Sequence, residues 1–162
     1  MTAVHLQVCP VCGKEGTLVP KSKPHAYVVR GESYAVQTDY FECGHCTETF
    51  MPPEGDIGLR RAWEAYRQKH GMVQPKELTA WRNKMGLEQC VLAAVLGWST
   101  TLVQRYEGGK LQTPEHDQQL KLAMRSLDDL LTLVAQTKGL VLETRMQLAA
   151  QLRQRNALAG NK

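Results

Sequence analysis

At 162 residues, with 43% hydrophobic and 22% charged side chains, the chain has room for one large domain or two small ones and enough apolar content for globular packing. No stretch approaches the roughly 18 apolar residues of a membrane span, and the opening MTAVHLQVCPVC lacks the basic run and apolar core of a secretory leader, so a soluble, cytoplasmic protein is expected. The net charge of +4 is unevenly spread, with 4 Lys/Arg against 6 Asp/Glu in residues 1–55, 9 against 5 in residues 56–110, and 7 against 5 in residues 111–162.

The first chemical signal is a pair of cysteine knuckles, Cys9-Pro10-Val11-Cys12 and Cys43-Gly44-His45-Cys46. A two-residue gap lets two thiolates from one tight turn reach the same ion, and two such turns complete a tetrahedral shell. Gly13 and Gly44 are placed to let the backbone turn so that its amides face the sulfurs. Between the knuckles, Tyr27, Val29, Tyr34, Val36, Thr38 and Tyr40 alternate in the strand period around Arg30-Gly31-Glu32-Ser33. That pattern predicts a β-hairpin over His25 to Phe41 that returns the chain to its start.

Structural zinc, one ion per chain on Cys9, Cys12, Cys43 and Cys46, is the reading this spacing supports. A disulfide pair is disfavoured in a reducing compartment, and a redox motif would need a single pair between a strand and a helix. Four thiolates also close the coordination position that catalytic zinc keeps open. His5 and His45 are read as exposed polar residues. A segment this small has little core of its own, so folding and metal are expected to be coupled.

Met51-Pro52-Pro53-Glu54-Gly55-Asp56 reads as a break, with Asp56 capping a helix that runs to about His70 and carries Leu59, Trp63 and Tyr66 on one face. Pro75 opens a second helix, marked by Leu78, Trp81, Arg82 and Met85 and stopped by Gly86. Leu87 to Gly97 is a short helix dense in small apolar residues, Trp98-Ser99 supplies a turn and a cap, and a helix over about Thr100 to Glu107 follows. That last helix buries Leu102, Val103 and Tyr106 while projecting Thr101, Gln104 and Arg105.

Two short helices across a tight turn, in the basic third of the chain, suit a major groove. Arg can pair bidentately with guanine, Gln with adenine, and Thr can touch a thymine methyl or a phosphate. Specific readout is assigned to Arg105, Thr101 and Gln104. Lys84, Gln89 and Lys110 stand nearer the phosphates, with Ser99 and Thr100 at the start of the reading helix. The competing reading makes Arg105 a surface residue paired with Glu107. Cys90, the fifth cysteine, is read as a small hydrophobe on the packed face.

Farther on, Leu120, Met124, Leu127, Leu131 and Val134 step by three and four. Gly139 interrupts, and Val141, Arg145, Leu148 and Leu152 resume. Such a stripe serves equally as a lid on its own domain or as a seam between chains. A palindromic operator, needing two reading helices roughly 34 Å apart, favours a homodimer. Residues from Ala157 onward read as a frayed end.

The set Gly86-Leu87-x-Gln89, Ala93, Leu96-Gly97, Ser99, Arg105-Tyr106-Glu107-x-Gly109 and Pro114 resembles the Xre/Cro-like helix-turn-helix family. With the double knuckle upstream, residues 7–136 or so resemble the MqsA antitoxin family. That resemblance implies structural zinc on the four cysteines, dimerisation through the C-terminal domain and repression of the chain's own operon at a palindrome. It also implies neutralisation of a ribonuclease toxin by the N-terminal domain. It makes Arg105 a base reader and Thr101 a second base-contact position. Asn can stand at the latter in the family, which implies a different operator here, and residues past about 137 extend beyond the family's usual end.

The fold expected is therefore mainly α with a small zinc-bound β domain at the N-terminus and an Xre/Cro-like helix-turn-helix bundle after it. Its parts are a zinc ribbon over residues 1–55, a connecting helix and linker over 56–74, a DNA-binding domain over 75–137 and a helical extension over 138–162. The expected partners are double-stranded DNA, a second copy and a toxin, with no membrane. One alternative is a stand-alone regulator, for instance a prophage-borne one, whose zinc head senses metal or recruits another protein. An enzyme such as a zinc hydrolase is disfavoured, because no H-E-x-x-H helix, nucleophile elbow or phosphate loop occurs.

Overall fold

The structure is a computed structural model describing residues 8–52 and 55–159. Those residues form a three-stranded antiparallel sheet followed by seven helices, and they divide into two compact units between Tyr66 and Arg67. His5 and residues 160–162 lie outside the described residues.

In the first unit, β1 (Leu18–Val29) and β2 (Glu32–Cys43) pair along their whole length, from Val29 opposite Glu32 to Leu18 opposite Cys43, and β3 (Thr49–Phe50) adds to the far end of β2. The hairpin is longer than the alternation of large apolar residues predicts. Its turn is correspondingly tighter: Arg30 and Gly31 both take positive φ, 50° and 85°, the two-residue turn whose twist matches that of paired strands. Pro20 and Pro24 are tolerated in β1 because it is the sheet's edge and needs only one side for pairing. The full-length register brings the beginning of β1 back beside the end of β2, and the two knuckles flank those ends.

The helix α1 (Ile57–Lys69) starts as expected at Asp56, whose carboxylate accepts from the Leu59 amide at 2.9 Å. The same oxygen accepts from the Tyr27 hydroxyl at 2.6 Å, and Arg61 reaches back to the Gln37 carbonyl and the Asp39 carboxylate. The approach of α1 to the sheet is set by a glycine. A Cβ at Gly58 would stand 2.5 Å from the Tyr27 hydroxyl and 2.6 Å from Thr38 Cβ. The face buried most deeply is accordingly Gly58, Ala62 and Tyr66, with Leu59 and Trp63 half-buried at its side.

The second unit is helical: α2 (Pro75–Met85), α3 (Gln89–Leu96), α4 (Thr100–Glu107), α5 (Pro114–Arg125), α6 (Leu127–Gln136) and α7 (Leu142–Ala159). Leu78 of α2, Leu92 and Val95 of α3, Val103 and Tyr106 of α4, Leu120 of α5, Leu130 and Val134 of α6, and Leu148 and Leu152 of α7 belong to one core. The long stripe read from Leu120 to Val134 is two helices. Ser126 leaves the helical conformation at φ −153°, and its hydroxyl accepts from the Asp129 amide at 3.1 Å, a Ser-x-x-Asp start inside an otherwise helical pattern. Leu130 and Val134 of α6 and Leu148 and Leu152 of α7 pack into the core of their own chain, while Leu131 is only partly buried. Helix α7 continues through Ala157 to Ala159, where a frayed end was expected.

Candidate metal centre and nucleic-acid face

Both knuckles are built alike. The Gly13 amide donates to the Cys9 carbonyl and the Thr47 amide to the Cys43 carbonyl, each closing a loop around two sulfurs. The left-handed residue that lets each loop close is Gly13, φ 68°, in the first and Thr47, φ 60°, in the second. Gly44, expected to supply that turn, has no positive φ; its amide donates to the Thr17 carbonyl at 2.8 Å, and a Cβ there would stand 3.6 Å from that oxygen, an ordinary contact.

The four sulfurs of Cys9, Cys12, Cys43 and Cys46 lie within 4.8 Å of one another. Cys9 and Cys46 are 3.6 Å apart and Cys12 and Cys43 3.7 Å, against an edge of about 3.8 Å for a tetrahedron with metal–sulfur distances near 2.3 Å. The group therefore fits a tetrahedral thiophilic ion. His45 is exposed and stands outside the cluster. The thiols are not alike: the Thr17 hydroxyl, 3.2 Å from Cys43 Sγ, together with the amides of Cys46 and His45, holds the Cys43 thiol down to about 6, whereas burial and the neighbouring thiols push Cys46 up to about 12 and Cys12 upward. Thr17 has no sequence signature as a partner of the sulfurs, because only the return of β1 beside the second knuckle brings it there.

In the helical unit, α3 and α4 meet across Gly97-Trp98-Ser99. Gly97 takes φ 72°, its amide and that of Trp98 satisfy the last carbonyls of α3, and the Ser99 hydroxyl caps α4 by accepting from the Leu102 amide. Val103 and Tyr106 are buried, whereas Ser99, Thr101, Gln104 and Arg105 are exposed and Thr100 is half-buried. Lys84 and Lys110 are exposed as well. Gln89 and Thr100 share a shallow depression with Arg82, Glu88 and Cys90.

Glu107 does not pair with Arg105. Its carboxylate takes Nε and Nη2 of Arg82 at 2.5 and 3.2 Å and Nε2 of Gln89 at 2.7 Å, while Arg82 Nη1 donates to the Leu87 carbonyl. Both partners of the ion pair are nearly buried, with side chains 12% and 8% exposed. This clamp ties the end of α4 to the turn between α2 and α3. Among the described residues, no hydrogen bond or ion pair engages the exposed Arg105 guanidinium. Sequence reasoning missed the clamp, since a charged residue on a helix gives no sign of being buried. Gln89, read as a phosphate ligand through its amide, donates one of that group's two N–H bonds to Glu107.

Cys90 is exposed, which corrects its placement in the core. The buried residues of α3 all come after its first turn, from Leu92 to Leu96, and Cys90 precedes them, with its sulfur 3.6 Å from the Glu88 carboxylate.

The chain thus joins a tetracysteine group that fits a metal ion to a helical unit in which Arg105 is exposed. The chain matches, over residues 7–145, the family described as the antitoxin component of bacterial toxin-antitoxin systems, MqsA. It belongs to that family. The match extends past the expected limit near 136 and reaches the first turn of α7. No curated protein matches the chain.

Proposed function

We propose that this antitoxin is a DNA-binding repressor of its own operon, in which α3 and α4 form an Xre/Cro-like helix-turn-helix and α4 enters the major groove. The observation that carries the reading is the division of α4 itself: one face is buried and clamped through Glu107, and the other offers Thr101, Gln104 and an unengaged Arg105. Arg105 reads a guanine, Thr101 and Gln104 neighbouring bases, and Lys84, Lys110, Ser99, Thr100 and the amides after Glu88 hold phosphates.

The head over residues 1–55 binds the toxin, the segment 56–74 joins it to a reader over 75–137, and residues 138–162 extend that reader. The ion is one structural zinc on Cys9, Cys12, Cys43 and Cys46, which supplies cross-linking and no reaction, and the protein is not an enzyme. It acts in the cytoplasm as a homodimer on a palindrome. An apolar groove of about 310 Å³ lined by Leu131, Leu142 and Met146 among others supports a seam between copies. Among the described residues, no helix is long and apolar enough to cross a membrane.

The test is binding of the duplex upstream of this gene. Arg105→Ala should weaken it by about 1–3 kcal/mol and leave random-sequence binding nearly unchanged. Equal losses on both duplexes would remove base reading by this residue.

A further inference from the structure

We infer that Arg67 is a positioning residue for DNA: its buried guanidinium sets the backbone of the loop after α4 so that the Lys110 ammonium stands at a phosphate. This inference rests on the DNA reading of α3 and α4.

Arg67, near the end of α1, is 1% exposed. Its Nε donates to Gln112 Oε1 at 2.8 Å, and its Nη2 donates to the carbonyls of Gly109 at 2.8 Å and Lys110 at 2.6 Å. Gln112, equally buried, passes the constraint on: its Nε2 donates to the Val73 carbonyl at 2.7 Å and to Asp117 Oδ1 at 3.1 Å. Asp117 in turn accepts from the Val73 amide and pairs with Lys121.

A buried cation is costly to desolvate, and a packed apolar side chain would often serve stability as well. What an apolar side chain cannot do is hold peptide carbonyls in a chosen direction, and the planar guanidinium fork does that. The Lys110 peptide is held at both ends, since its carbonyl faces Arg67 and its amide donates to the Arg105 carbonyl at 2.9 Å. The left-handed Gly109, φ 99°, makes the bend between them. With the backbone fastened inward, the Lys110 side chain is exposed, and among the described residues no hydrogen bond or ion pair engages its ammonium. Lys110 is thereby held in fixed relation to Arg105, the residue assigned to read a base. A cation placed in advance loses less conformational freedom on reaching a phosphate than one on a loose loop.

The experiment is a double-mutant cycle on the full-length protein, titrating the upstream duplex between about 0.05 and 0.2 M salt. Lys110→Ala should lower the slope of log affinity against log salt by about 0.9 per bound chain, with an affinity loss of about fivefold near 0.15 M. Arg67→Met should do the same, and the double variant should lose no more than either alone. If Arg67→Met does not fold, Arg67→Lys, which keeps the charge and loses the fork, takes its place in the same cycle. An unchanged slope in the Arg67 variant, or losses that add, overturns the inference while leaving operator binding intact. Wild-type protein that binds the upstream duplex no better than random DNA sinks the DNA reading and this inference with it.

Discussion

The two units reach a folded state by different means. The helical unit buries large aliphatic side chains from every helix from α2 to α7 around one centre. In the first unit the buried hydrophobic residues include Cys9 and Cys43 beside Val29, Ala62 and Tyr66, so thiol groups occupy positions that leucines hold elsewhere. The contrast separates two sources of stability: one is spread over many contacts that each matter a little, and the other, on the proposed reading of the four sulfurs as zinc ligands, is concentrated in a single ion.

The sharpest way to break this comparison is to remove the ion. Chelation, or Cys43→Ser, should unfold the sheet outright, since binding energies of structural zinc reach about 10 kcal/mol or more. The dispersed amide signals of residues 18–43 should collapse while those of α5 to α7 persist. A sheet that survives without metal would show that its core suffices. The counterpart in the helical unit is Leu152→Ala, a fully buried leucine of α7. It should cost about 2–5 kcal/mol in a urea titration monitored by helical signal and leave metal content unchanged. A loss well below that range would make α7 an appendage to the core.

The smallest effect expected concerns a surface ion pair. Arg125 and Asp129 join at 2.6 Å, and the hydrogen bonds from Arg125, with that from the Ser126 hydroxyl, hold the Asp129 carboxyl down to about 2, below its ordinary 3.8. A carboxyl lowered by folding stabilises above its ordinary value, and that contribution drains away as pH falls through about 2. The gap in urea midpoint between wild type and Asp129→Asn should therefore be constant above about pH 5 and close in strong acid. A gap that stays open at low pH would assign it to packing or capping.

Legibility in the sequence followed the range of the interaction. The cysteine spacing, the Asp56 cap, the Pro75 start, the Gly86 and Gly97 stops and the Ser99 cap are local, and each was readable because the residues concerned lie within a few positions of one another. The break at Ser126 is local too, but its Ser-x-x-Asp signal lay inside an uninterrupted apolar period that hid it. Thr17 at Cys43, Arg82 and Gln89 at Glu107, and Arg67 at Gly109 and Lys110 join residues 18 to 43 positions apart. Nothing in their neighbourhoods announced these bonds.

Residue spacing alone thus determined the tetracysteine group, the order of the helices after it and the outward face of α4, because turns, caps and periodicity are short-range properties of the backbone. Tertiary structure decided which charged groups are buried and what they hold: Glu107 went to Arg82, leaving Arg105 uncommitted, and Arg67 went inside to the loop after α4. The reason is energetic. Whether a polar side chain can leave water depends on the partners that a finished fold brings to it.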